Sequence, residues 1–160
     1  CAATRKSTSG GAIMWGDVCL KSWAKTQPTI ALSSGEAELA AVVRGAAEGL
    51  GFISVLGDFG LSLSLHVRSD ATAAIGTVGR EVLGKVRHLA TADLWVQQRV
   101  RQNQFGLEKW PGLENPADLG TKGLSREAID RHLATLGFRA QAGRAAAAPE
   151  MKEGAGRTQL

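Results

Sequence analysis

The chain has 160 residues, 44% hydrophobic and 21% charged, with 20 Gly, 4 Pro and 2 Cys. That length suits one domain able to bury a core, and 19 Lys and Arg against 15 Asp and Glu leave a net charge of +4, which permits a polyanionic partner without demanding one. Two cysteines outside any CxxC pair give no basis for a disulfide scaffold or a structural zinc site, and no apolar run approaches the ~18 residues expected of a membrane span.

In chain order, Gly11 to Leu20 is apolar and β-leaning (Ile13, Trp15, Val18), with Gly16-Asp17 as a turn and Leu20 to Lys25 as the returning strand of a hairpin. Thr29 to Leu32 continues as a short extended run. Leu39, Val42, Val43, Ala46, Ala47 and Leu50 then recur at helical spacing on one stripe. Ser33 and Glu36 form a capping box at the start of that helix, and Gly57 or Gly60 can end it. Leu61, Leu63, Leu65 and Val67 alternate with Ser62, Ser64, His66 and Arg68, the period of a half-buried strand, with His66 on its surface face. Ser69-Asp70 follows, then a short helix over Ala71 to Val78, a loop-like stretch marked by Gly76, Gly79 and Gly84, and a helix from about His88 to Gln102.

Phe105 to Trp110 is a strand candidate, turned by Pro111-Gly112. Asn115-Pro116 is a helix start, Asn as N-cap and Pro in the first position. A last helix runs from Ser125 or Arg126 to Leu136 and ends at Gly137. From Arg139 onward Ala, Gly and charge dominate, so residues 139–160 are expected to be a disordered tail behind a folded unit of residues 1–138. A hairpin followed by strands alternating with helices indicates an α/β layer fold with a mixed sheet. Trp15, Trp23, Trp95 and Trp110 are expected in or beside its core.

Three acids stand where elements join. Asp70 ends the alternating strand, Glu38 lies one turn into the capped helix, and Asp118 is at the third position of the helix opened by Asn115-Pro116. In α/β sheets, ligands bind at the carboxyl ends of strands and the adjoining helix starts. Three acids gathered there would repel one another unless a cation neutralised them, and oxygen-only ligands point to Mg²⁺ or Mn²⁺. Two such ions ~4 Å apart can hold a phosphodiester, activate the attacking water and stabilise the leaving oxygen. Each acid also has a structural reading: Asp70 as an N-cap, Asp118 as a complement to the helix dipole, Glu38 as the solvated flank of a helix. Spacing alone does not choose between these readings.

The blocks TRKSTSGG (Thr4–Gly11), KSWAKTQPTIALSSGEAELAA (Lys21–Ala41), SDATAAI (Ser69–Ile75), KVRHL (Lys85–Leu89) and ENPADLGTKGL (Glu114–Leu124) follow one another in this chain. Together they resemble the ribonuclease H domain of Ty1/copia-type retrotransposon Pol polyproteins, which typically reads TRRSTSGY, SWKSKKQPTVALSSTEAEY, CDNQSAI, RTKHI and ENLADILTKPL in the same order. The resemblance spans roughly residues 1–138. It implies a ribonuclease H-like fold, a mixed β-sheet flanked by helices, that cleaves the RNA strand of an RNA–DNA hybrid with two Mg²⁺ (or Mn²⁺) ions held by four carboxylates.

Carried over residue by residue, the resemblance makes Glu38, Asp70 and Asp118 catalytic and metal-holding. Arg87, His88 and Lys122 fall in matching blocks and are expected to touch phosphate, as backbone-contacting cations do. The family's fourth carboxylate sits on a first strand, in a DxDWAG segment ahead of the position matching Cys1. The domain is therefore expected to lack that strand, to expose the unpaired edges of its neighbours, and to be poorly stable and weakly active. Where family members carry Asp and Tyr after the KHI match and a His beyond, this chain has Ala90, Asp93 and Leu94.

The partners implied are an RNA–DNA hybrid and the reverse transcriptase and integrase parts of a parent polyprotein, with no membrane. The setting implied is intracellular, in particles made by the element or in the nucleus. The alternative reading is a catalytically dead relic, or a co-opted module that binds nucleic acid or protein.

Overall fold

In a computed structural model of the protein, which describes residues 5–79, 91–139 and 143, the chain opens with the expected hairpin. β1 (Thr8–Trp15) and β2 (Val18–Thr26) pair antiparallel around Gly16-Asp17, Gly16 taking the left-handed conformation at φ +58°. The register shifts between Ile13, opposite Lys21, and Met14, opposite Cys19, so Leu20 is the extra residue of a bulge. Trp15 is 48% exposed rather than in the core, because it closes β1 at the hairpin tip. Thr29 to Leu32 forms no strand; Ile30 and Leu32 face solvent, and the segment serves as the lead-in to α1.

Helix α1 (Ser34–Asp58) starts as its capping box dictates. The Ser33 hydroxyl accepts from the Glu36 N–H at 3.2 Å, and the Glu36 carboxylate accepts from the Leu32 N–H at 2.7 Å. The helix ends where Gly60, at φ +80°, lets the Leu61 N–H close back on the Leu56 carbonyl. Leu39, Val42, Ala46 and Gly49 form its buried stripe, Val43 and Leu50 flank it, and Ala47 is exposed. By length and composition α1 could cross a membrane, contrary to the expectation that no stretch approaches a span. In this fold that stripe is instead the floor of the core, packed against Ala71, Ala74 and Val78, Val96 and Phe105. Each fully buried large aliphatic side chain of this kind contributes about 1.5–3 kcal/mol.

The alternating strand is shorter than its pattern. Only His66–Ser69 forms β3, because its partner β4 offers just Gly106–Lys109, in parallel register from His66 opposite Gly106 to Ser69 opposite Lys109. Leu61 and Leu63 therefore have no ladder and are exposed, while Leu65 packs on the core. α2 (Thr72–Val78) follows β3, and α3 (Thr91–Arg101) precedes β4. A 3₁₀ turn, Gly112–Glu114, forms at the expected Pro111-Gly112 turn, and a second, Pro116–Gly120, takes the place of the helix expected after Asn115-Pro116. α4 (Arg126–Thr135) is capped by Ser125, whose hydroxyl accepts from the Ala128 N–H at 3.3 Å, and ends at Gly137 with φ +76°. Arg87, His88 and Ala90, and the tail from residue 140 apart from Gly143, lie outside the described residues.

The antiparallel and parallel pairings expected of a mixed sheet are both present, but among the described residues they lie in two separate two-stranded sheets, β1-β2 and β3-β4. Both lean on α1, and one cavity is lined by Thr8 and Gly10 of β1, Val67 and Ser69 of β3, and Ala37, Ala41 and Gly45 of α1. Buried Gln27 clamps the hairpin to the start of α1: its side-chain amide donates to the Ser9 hydroxyl at 2.9 Å and to the Ala37 carbonyl at 2.7 Å. Gln27→Ala strips a buried hydroxyl of its partner and frees the hairpin from the helix, so a loss of about 1–3 kcal/mol is expected in urea denaturation.

Candidate active site

Each sequence-predicted acid is delivered by a different element. Glu38 projects from the second turn of α1, beside the residue clamped by Gln27. Asp70 follows directly on β3. Its N-cap reading does not hold, since α2 is capped by Ala71 without a side-chain hydrogen bond. Asp118 is the third residue of the Pro116–Gly120 turn, whose start is set by the Asn115 side-chain Oδ1 accepting from the Ala117 N–H at 3.1 Å. β1 meets that turn at Gly10, where a Cβ would collide with the Ala117 carbonyl. The missing side chain is what lets the hairpin lie against the Asp118 segment.

Glu38, Asp70 and Asp118 line that same cavity, of about 220 Å³, together with Asn115 and Lys122. Asn115 does more than cap. Its Nδ2 donates to Asp70 Oδ1 at 3.2 Å, so one side chain fixes both the Asp118 turn and the Asp70 carboxylate. Lys122 Nζ donates to Asp118 Oδ2 at 2.9 Å, the carboxylate being only 15% exposed and the lysine 56%. The hydrogen bond to Asp118 raises the Lys122 pKa above 10.5; partial burial lowers it, and the charges of Asp118, Asp70 and Glu38 add to the rise. All three acids thus act on one ammonium.

The donor set suits a hard cation: three carboxylates, oxygen only, with an ammonium already seated beside one of them. Among the described residues, no three His, Cys, Asp or Glu side chains form a ready ligand group for a single ion. The acids share a cavity without closing on one point. Of the phosphate-contact candidates, Lys122 is at the cavity and paired with Asp118, while Arg87 and His88 lie outside the described residues. The tie between Asn115 and Asp70 has no signal in the sequence, whose Asn-Pro pattern points to the cap alone; the ion pair of Asp118 and Lys122 was missed by sequence reasoning, though their four-residue spacing is a signal that could have found it.

A larger hollow, about 450 Å³, lies further along α1 between Arg44, Glu48, Phe52 and Val55. It holds no comparable chemistry, because Glu48 is already bound by Lys21 at 2.6 Å and Arg44 at 3.1 Å. His66 and Arg68, on the outer face of β3, share Glu108 at 2.8 and 3.4 Å, and Arg68 stacks over Trp110 at 4.3 Å. That cluster is exposed and mutually satisfied.

Two outcomes are expected. Asn115→Ala removes the cap and the Asp70 contact together, and a loss of about 1–2 kcal/mol should appear in urea denaturation. The hydrogen bond from Lys21 holds Glu48 below its ordinary value of 4.5, so its stabilising contribution is present above that value and is lost as the pH falls through the lowered folded value. Lys21→Met should therefore lower the melting temperature at neutral pH and shrink its fall on acidification, with an effect of about 0.2–1 kcal/mol for so exposed a pair.

Comparison of the chain with family models, with curated proteins and with solved structures finds no match.

Proposed function

We propose that the folded unit is a ribonuclease H-like domain of a copia-type retrotransposon polyprotein, a metal-dependent endoribonuclease acting on RNA–DNA hybrids. The observation that carries this reading is that Glu38, Asp70 and Asp118, far apart in the chain and named by the resemblance, line a single cavity. The coarser architecture, small antiparallel and parallel sheets flanked by helices, is compatible with it.

Bound Mg²⁺ or Mn²⁺ would activate water and offset charge on the phosphodiester. The three carboxylates would hold the ions, with Asn115 keeping Asp70 oriented and the Pro116–Gly120 turn presenting Asp118. Arg87, His88 and Lys122 are assigned to backbone phosphates, which position the hybrid without reading its sequence; discrimination of the RNA strand rests on duplex shape and 2′-hydroxyls. A first strand bearing the family's fourth carboxylate is proposed to lie beside β1 and β3, which among the described residues pair only with β2 and β4. The reverse transcriptase and integrase parts of the parent polyprotein are the proposed neighbours.

The test is cleavage of a labelled RNA–DNA hybrid in Mg²⁺, by the chain as it stands and by a form extended upstream with an acid-bearing strand. The extended form is expected to cut the RNA strand and the shorter one to cut weakly. Glu38→Gln or Asp70→Asn should lower the rate at least ~100-fold, the scale of removing one preorganised electrostatic group, and chelation should abolish it. An extended form that folds and binds hybrid yet never cuts overturns the enzymatic reading in favour of a nucleic-acid-binding module.

A further inference from the structure

We infer that the outer face of the β3-β4 pair is a phosphate clamp for a nucleic-acid strand, with Arg68 making the contact and Trp110 positioning it. The inference rests on the nucleic-acid side of the reading above and requires no metal ion.

Three observations carry it. The first is an open guanidinium. Arg68 is 54% exposed and lies 4.3 Å over the Trp110 ring. Among the described residues only its Nε has a hydrogen-bond acceptor, Glu108 Oε2 at 3.4 Å, so the two terminal amino groups are left to an outside ligand. The second is how that guanidinium is held. Glu108 makes its closer contact, 2.8 Å, with His66 Nδ1 and meets Arg68 only at the inner nitrogen. The half-buried indole sets the plane of the guanidinium, so less conformational freedom is lost when the fork takes a ligand. The third is place. Arg68 precedes Asp70 by two residues, about 7 Å along an extended strand. The Trp110 N–H donates to the Ser69 carbonyl at 2.8 Å, and a Cβ on Gly112 would stand 3.2 Å from Asp70 Oδ2. Both members of the stack thus belong to the segments that bring Asp70 to its cavity.

A guanidinium presents a planar fork that matches two oxygens of one phosphate, which the point charge of a lysine does not. Contacts of this kind fix the register of a strand without reading its bases. The charges of the cluster offset one another through a single acid, Glu108, and His66 adds a second cation when protonated. An acidic peptide would offer carboxylates to the same fork. A nucleic-acid strand is the better match, because it carries a phosphate on every nucleotide, so a strand crossing the cavity brings one within reach of Arg68. The net charge of +4 favours the same class of partner.

The experiment follows binding of a labelled RNA–DNA hybrid to the full chain by fluorescence anisotropy, in EDTA and across a range of salt. The wild type is compared with Arg68→Ala, Arg68→Lys, Trp110→Leu and Trp110→Phe, each checked for cooperative urea unfolding. Arg68→Ala is expected to weaken binding roughly tenfold, the scale of a charged hydrogen bond, and to lower the slope of log affinity against log salt by about one. Arg68→Lys, which keeps the charge and loses the fork, should restore the slope but not the affinity. Trp110→Leu should weaken binding several-fold and Trp110→Phe should recover it, a rescue that an indole serving only as packing would not require. Should Arg68→Ala fail to unfold cooperatively, Arg68→Gln carries the same comparison. Folded Arg68→Ala that binds with the affinity and salt slope of the wild type overturns the clamp and leaves the nuclease reading standing. Hybrid displaced as readily by polyglutamate as by unlabelled hybrid marks an acidic-protein surface and also overturns it. Folded wild type that binds no hybrid overturns both the clamp and the nuclease reading.

Discussion

The buried stripe of α1 is the constraint on which everything else depends. A two-stranded sheet on its own is marginal in water, and the described residues form two of them, with no strand-to-strand hydrogen bond joining them among those residues. Leu39, Val42 and Ala46 pack with Ala71, Ala74 and Val78 of α2, Val96 of α3, and Val67 and Leu107 of β3 and β4, while β1 meets α1 outside that cluster. The Gln27 clamp and the close approach at Gly10 then determine how the hairpin sits on α1. Loosening the stripe would separate the elements that carry Glu38, Asp70 and Asp118.

The cavity shows how a fold can hold several like charges near one another. Burial of the acids is partial, so none is stranded without solvent or partner: Glu38 is exposed, Asp70 accepts from Asn115, and Asp118 takes Lys122. Asn115 and Lys122 come from the same short segment as Asp118. One stretch of chain thus supplies an acid, the group that fixes a second acid, and the cation that offsets the cluster.

The cavity that holds the acids draws on both sheets. Its lining includes residues of β1 and β3 and the small Ala37, Ala41 and Gly45 of α1. The ribonuclease H-like proposal gives that feature an occupant and gives the acids a task.

Much of the local structure could be read from the residues. The Gly16-Asp17 hairpin, the Ser33–Glu36 capping box, the stripe of α1, the Asn115 cap and α4 ending at Gly137 are all set by interactions within a few residues of each other. Where that reading failed, a distant partner decided. The alternation from Leu61 to Arg68 promised a long strand, but a ladder extends only as far as its neighbour, and β4 stops after four residues. Trp15 has the composition of a core residue and the position of a hairpin tip, and position prevailed. The apolar length of α1 is equally fit for a membrane or a core, and only packing separates the two. The same division holds for the site. The sequence by itself determined which acids stand at the junctions of elements, because caps and periodicities are local. That Glu38, Asp70 and Asp118 face one cavity, that Asn115 binds Asp70, and that Lys122 stands among the acids was decided only by the tertiary structure, because each of those relations joins segments that the chain alone keeps far apart.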